Sequence, residues 1–171
     1  MSSKHQNLSN VDKDALMGAE GLSFGIVTSE WNSAICEAMR AGAVGVLSEA
    51  GIPEDQIHQI HVPGSYELTA GAAMLIKGKK VNAVICLGCV IKGETRHDEY
   101  INQAVAIGLT QLSAMTGKPV IFGVLTTDNL EQAEARAGGQ HGNKGIEAAV
   151  TAIKMAKLSK ELTSPSSNIG F

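Results

Sequence analysis

Residues 81–91, "VNAVICLGCVI", are apolar on both of the faces that alternate along an extended chain. A strand with one wet face alternates apolar and polar residues, so a run with no polar face belongs inside a parallel sheet covered by helices on both sides. Residues 120–125, "VIFGVL", repeat the pattern. Two further short apolar runs, "LSFGIVTS" and "IHQIHVP", alternate with stretches of helical period at residues 32–50, 64–77, 95–116 and 129–158. The order β-α-β-α-β-α-β-α predicts a three-layer α/β sandwich with a four-stranded, mainly parallel sheet and helices on both faces.

Apolar residues recur along two of these helices at spacings of three and four. They are Ile35, Met39, Gly42 and Val46 in one, and Ile101, Val105, Gly108, Leu112 and Met115 in the other. Such stripes are expected to pack on the sheet, and a narrow seam of this kind also suits contact with another subunit. With 171 residues, one domain over residues 21–160 is expected, between mobile polar segments at 1–20 and 161–171. Hydrophobic residues make up 44% and charged residues 18%, which is too apolar for disorder. A net charge of -3 and the lack of any basic run exclude nucleic acid as a partner. Neither a signal peptide nor a membrane-length apolar run is visible, so the expected location is the cytoplasm. Cys36, Cys86 and Cys89 are odd in number and lie among apolar residues, as reduced buried thiols do.

In a sheet of this kind ligands bind beyond the carboxyl ends of the strands, where loops run into helix N-termini. Those junctions read "TSEWN", "VPGSYE", "GCVIKGETRH" and "GVLTTDN". The third is the densest. Thr95-Arg-His-Asp98 has the form of a capping box, which makes Thr95 the expected N-cap and puts His97 in the first turn. Gly93, Glu94 and Thr95 then offer backbone N–H groups and a helix dipole to an anion. The same residues also read as nothing more than a solvated, well-capped helix start. A histidine near a helix N-terminus is expected to be neutral and able to take a proton, although a lone histidine is often a plain surface residue. Arg136 and Lys144, flanked by glycines beyond the last strand, suit a phosphate and a substrate hydroxyl or carbonyl, or else are ordinary surface cations. Trp31, beside Asn32, and Tyr66 and Phe122 at comparable junctions can stack on a flat heterocycle or simply fill a core or interface.

Other readings fail. Cys86-Leu-Gly-Cys89 has redox or half-zinc spacing but lies within a strand, with no second ligand pair. His58 and His61 fall on opposite faces of a strand. No metal site is expected. The first strand is followed by "GIVTSEWN" in place of a phosphate-binding glycine loop, which counts against a nucleotide cofactor.

Taken together, "GIVTSEWN", "VPGSYELT", "GCVIKGETRHDEYI", "FGVLTTDNLEQAEARAG" and "GNKGIEAA" resemble the lumazine synthase family of riboflavin biosynthesis, in order and spacing, over about residues 22–160. The resemblance implies a flavodoxin-like fold. It also implies condensation of 5-amino-6-(ribitylamino)uracil with 3,4-dihydroxy-2-butanone 4-phosphate to 6,7-dimethyl-8-ribityllumazine, without cofactor or metal. By motif, it places Trp31 and Asn32 at the stacked ring, and Ser65, Tyr66 and Glu67 along the ribityl chain. Val90, Ile91 and Phe122 fall at the pyrimidine, and Lys144 near the ribityl chain. Gly93, Glu94, Thr95 and Arg136 fall at the phosphate, with His97 as the proton-transfer residue. One departure is Ala135, where relatives often carry an acid.

The family resemblance also implies a homopentamer whose active site is shared between neighbours, with Phe122, Arg136 and Lys144 from one chain and the remainder from the next. Pentamers of some members build 60-subunit shells. Rival readings are a riboflavin- or lumazine-binding protein without turnover, a purely structural shell-former and, on fold alone, an FMN carrier.

Overall fold

The computed structural model describes residues 11–163. Strands β1 (Phe24–Ser29), β2 (Ile57–Val62), β3 (Ala83–Ile91) and β4 (Val120–Thr127) form one sheet in the order β2-β1-β3-β4. Every pairing is parallel. Helices α2 (Ser33–Glu49), α3 (Leu68–Gly78), α4 (His97–Thr116) and α6 (Lys144–Thr163) cover it. The sheet is thus parallel throughout, a stricter result than the mainly parallel one expected.

The double-faced character of residues 81–91 becomes two cores. Phe24, Ile26, Ile85 and Leu87 pack against α2 and α6 on one face. Val27, Val84, Cys86 and Val90, from the alternate positions, pack against α3 and α4 on the other. Each fully buried Leu, Ile or Phe contributes about 1.5–3 kcal/mol of transfer free energy, so the central strands carry much of the stability. β4 departs from expectation: it is an edge strand, and Phe122 is 37% exposed. In α4 Val105 and Leu109 are buried and Ile101 and Leu112 pack against the same core, as expected, while Met115, expected on the sheet, is 86% exposed.

Two other expectations change. The helical period over 129–158 is interrupted: α5 (Leu130–Arg136) ends in a small antiparallel hairpin, β5 (Ala137–Gly139) and β6 (Gly142–Asn143), before α6 begins. Glycines at φ +127° (Gly138) and +82° (Gly142) make that tight reversal possible. The segment read as mobile over 1–20 includes a helical turn, α1 (Lys13–Leu16), capped by Asp12, with Leu16 and Ala19 buried in the core. Residues 1–10 and 164–171 lie outside the described residues. Among the described residues, no helix is long and apolar enough to cross a membrane.

β1 leads through α2 to β2 on one side, and β2 leads through α3 across to β3 on the other. The direction of winding therefore reverses between β1 and β3, and a crevice opens there at the carboxyl ends of the strands.

Candidate functional site

At that reversal the chain turns sharply. Asn32 adopts a left-handed conformation, φ 56°, which asparagine tolerates better than most residues. Its side chain does not cap α2; instead Nδ2 donates to the carbonyl of Cys89 at 3.0 Å, tying the end of β1 to the end of β3. Trp31 is thereby held at the rim with 72% of its surface exposed. Opposite it, a 3-10 turn over Ser65–Glu67 presents Tyr66, also exposed.

These residues line a cleft of about 520 Å³ together with Val90, Ile91, Gly93, Thr95 and His97. Its base holds Ser65, buried, with an Oγ that has no hydrogen-bond partner. A buried hydroxyl in that state costs about 1–3 kcal/mol, which a ligand hydroxyl would recover. Glu94 alone among the predicted residues of this half does not line the cleft, and it is exposed.

The capping box does not form. α4 begins at His97 with Arg96 at the cap position and no side-chain cap bond; Thr95 lies in the bend before it. The first turn is secured instead by Arg96, whose guanidinium donates to Glu99 at 2.7 and 3.0 Å. With no side chain bonded to the first amides of α4, the segment Gly93–Thr95 stays exposed. His97 is exposed as the first helical residue.

Phe122, Arg136 and Lys144 lie elsewhere, along a second cleft of about 680 Å³ beyond the edge strand. The two clefts share no lining residue. In the second, Lys144 Nζ donates to Glu147 Oε1 at 2.8 Å, and Arg136 Nη2 lies 3.8 Å from Glu147 Oε2. Both cations are about four-fifths buried, so this carboxylate balances charges that would otherwise repel each other. Glu147 was not singled out in the sequence, because a Lys-x-x-Glu pair on a helix is ordinary; only its position facing Arg136 makes it notable. Gln132, Gln140 and His141 also line this cleft.

The cysteines border the first cleft only through Cys89, which lines it, and Cys36, whose thiol bonds the Trp31 carbonyl at 3.4 Å. Burial pushes Cys36 up to about 12 and Cys89 up to about 11, and Cys86 higher still. All three are free, buried thiols. Among the described residues, no group of three or more His, Cys, Asp or Glu side chains is arranged to hold a metal ion.

A doubly wound parallel sheet with a polar-and-aromatic crevice at its switch point defines an α/β protein built to bind small molecules there. The family model for 6,7-dimethyl-8-ribityllumazine synthase matches residues 21–160, and the chain belongs to that family. A relative of that name in Cytophaga hutchinsonii is 55% identical over 155 residues, covering 91% of this chain and 97% of the relative. Relatives of the same name in Porphyromonas gingivalis and Parabacteroides distasonis are 49% and 47% identical. They cover 94% and 93% of this chain and 99% of each relative.

Proposed function

We propose that the chain condenses 5-amino-6-(ribitylamino)uracil with 3,4-dihydroxy-2-butanone 4-phosphate, releasing phosphate and water and forming 6,7-dimethyl-8-ribityllumazine. The observation that carries the reading beyond family membership is the division of the predicted residues into two clefts. A stacking and ribityl half with His97 lies on one side, and a cationic half with Arg136 and Lys144 lies on the other. Each is chemically incomplete alone. Juxtaposing the first cleft of one subunit with the second cleft of its neighbour completes the set, which is the arrangement a closed ring of identical chains provides. We therefore read the working form as a homopentamer, with a 60-subunit shell as a further possible assembly and the cytoplasm as its location.

The roles follow from the groups available. Trp31 and Phe122 hold the pyrimidine ring between faces, with Val90 and Ile91 contributing backbone contacts and Asn32 bracing the turn. Ser65, Tyr66, Glu67 and Lys144 engage the ribityl hydroxyls. Arg136 and the Gly93, Glu94 and Thr95 amides hold the phosphate.

The amine attacks the ketone and water is lost to give a Schiff base. Phosphate then leaves to generate an enol, which takes up a proton to become a ketone, and attack of the second nitrogen on that carbonyl closes the ring with loss of a further water. Each step moves protons, a role we assign to His97, and the leaving phosphate takes its charge onto Arg136 and the loop amides. Holding both substrates in one place supplies much of the remaining acceleration.

Incubating the purified protein with both substrates and following lumazine fluorescence tests the proposal. Product formation supports it. A bound lumazine or riboflavin with no turnover would instead make the protein a binder of the same fold.

A further inference from the structure

We infer that Asn143 is a positioning residue that fixes Arg136 relative to Lys144; this rests on the function proposed above. Asn143 does not line either cleft, and only 8% of it is exposed. Its Nδ2 donates to the carbonyl of Ala137 at 3.2 Å and to that of Ala38 at 2.9 Å. Its Oδ1 accepts from the amides of Gly145 at 2.8 Å and Ile146 at 3.4 Å. Ala137 directly follows Arg136, and Gly145 directly follows Lys144. One buried amide therefore joins the end of α5, the start of α6 and the middle of α2, the helix that follows the Trp31–Asn32 turn.

The surroundings are shaped to keep that amide in place. A Cβ on Gly42 would come within 2.8 Å of Asn143 Nδ2, and a Cβ on Gly145 would overlap the Met39 carbonyl oxygen. α6 thus starts in direct contact with the α2 backbone, with Asn143 in the slot between them. The covalent link between Arg136 and Lys144 is a glycine-rich hairpin, with Gly138 and Gly142 in left-handed conformations, and is a poor spacer by itself. A helix N-cap requires only the acceptor oxygen. The donations to Ala137 and Ala38 are what bind the two cation-bearing segments to each other and to the body of the protein.

Asn143→Asp in the full-length chain separates these functions. The carboxylate has the same shape and is as good an N-cap, but it cannot donate and sets a negative charge against two carbonyl oxygens. The Michaelis constant for 3,4-dihydroxy-2-butanone 4-phosphate is expected to rise about tenfold, with that for the pyrimidine and the assembly size unchanged. Weaker inorganic phosphate binding by calorimetry is expected alongside.

A lowered melting temperature with wild-type Michaelis constants, or an equal rise in both constants, overturns the positioning role. If Asn143→Asp does not fold, Gly42→Ala crowds the same amide from α2 without altering its chemistry. It is expected to raise the same constant, and wild-type kinetics in a folded Gly42→Ala protein overturns the inference. Absence of turnover in the wild-type chain sinks the proposed reaction instead. Phosphate binding in the two variants then decides the role of Asn143 independently.

Discussion

In the proposed reaction His97 and Arg136 do separable work, and single substitutions separate them. His97→Ala is expected to lower kcat by about 10²- to 10⁴-fold, the range a proton-transfer group supplies, with pyrimidine affinity and assembly retained. Steady-state kinetics checks this, and unchanged turnover removes His97 from the mechanism. Arg136→Ala is expected to act on the other substrate, raising the Michaelis constant for the butanone phosphate about 10- to 100-fold, the worth of a charge-assisted hydrogen bond. A change confined to the pyrimidine constant would show that Arg136 does not hold phosphate. The thiols are expected to be silent. With Cys36 pushed up to about 12 and Cys89 to about 11 by burial, neither forms appreciable thiolate at neutral pH. The folded protein should therefore resist iodoacetamide at pH 7 and react only after denaturation, as mass spectrometry can read directly.

At the scale of elements, the close seating of α6 on α2 makes Gly145 a sensitive position. A methyl group there meets backbone, which cannot rotate away, so Gly145→Ala is expected to cost about 1–3 kcal/mol and lower Tm by several degrees. A thermal melt matching the wild type would show that the helices can separate freely. The same scale shows what the sequence makes legible. β3 as a strand covered on both faces was readable because such burial leaves no polar alternation to hide it, whereas the same pattern in β4, an edge strand, shows that strand order was not. The hairpin after α5 was not, since "AGGQHGN" has no periodicity and its three glycines declare a turn without saying which kind. The Thr95 capping box failed because the pattern fits more than one start position, and the Arg96–Glu99 contact accompanies a helix that starts one residue later. Glu147 and Asn143 were invisible for another reason: their partners lie across the fold or beyond a turn, and only Arg136 facing Glu147 and Ala38 facing Asn143 reveal them.

For the whole molecule, the division of residues between two clefts predicts complementation. His97→Ala and Arg136→Ala chains are each expected to be nearly inactive. When they are co-assembled in equal amounts, about a quarter of the subunit junctions pair an intact first cleft with an intact second one, and activity returns accordingly. Mixed oligomers with no recovered activity would place both residues in one chain's own site. The family was legible from sequence because its motifs fall at the strand-to-helix junctions, where the fold concentrates chemistry. Assembly was less so, since exposed apolar residues such as Ile107 and Met115 on α4 do not name the surface that covers them.

Trp31 is the only tryptophan in the chain and, within a single chain, is largely exposed at the mouth of the first cleft. The indole emission of the protein therefore comes from this one position, free of contributions from the core. A planar ring settling over it alters that one signal, so the untagged protein carries its own optical gauge of occupancy, and titrations need no added label.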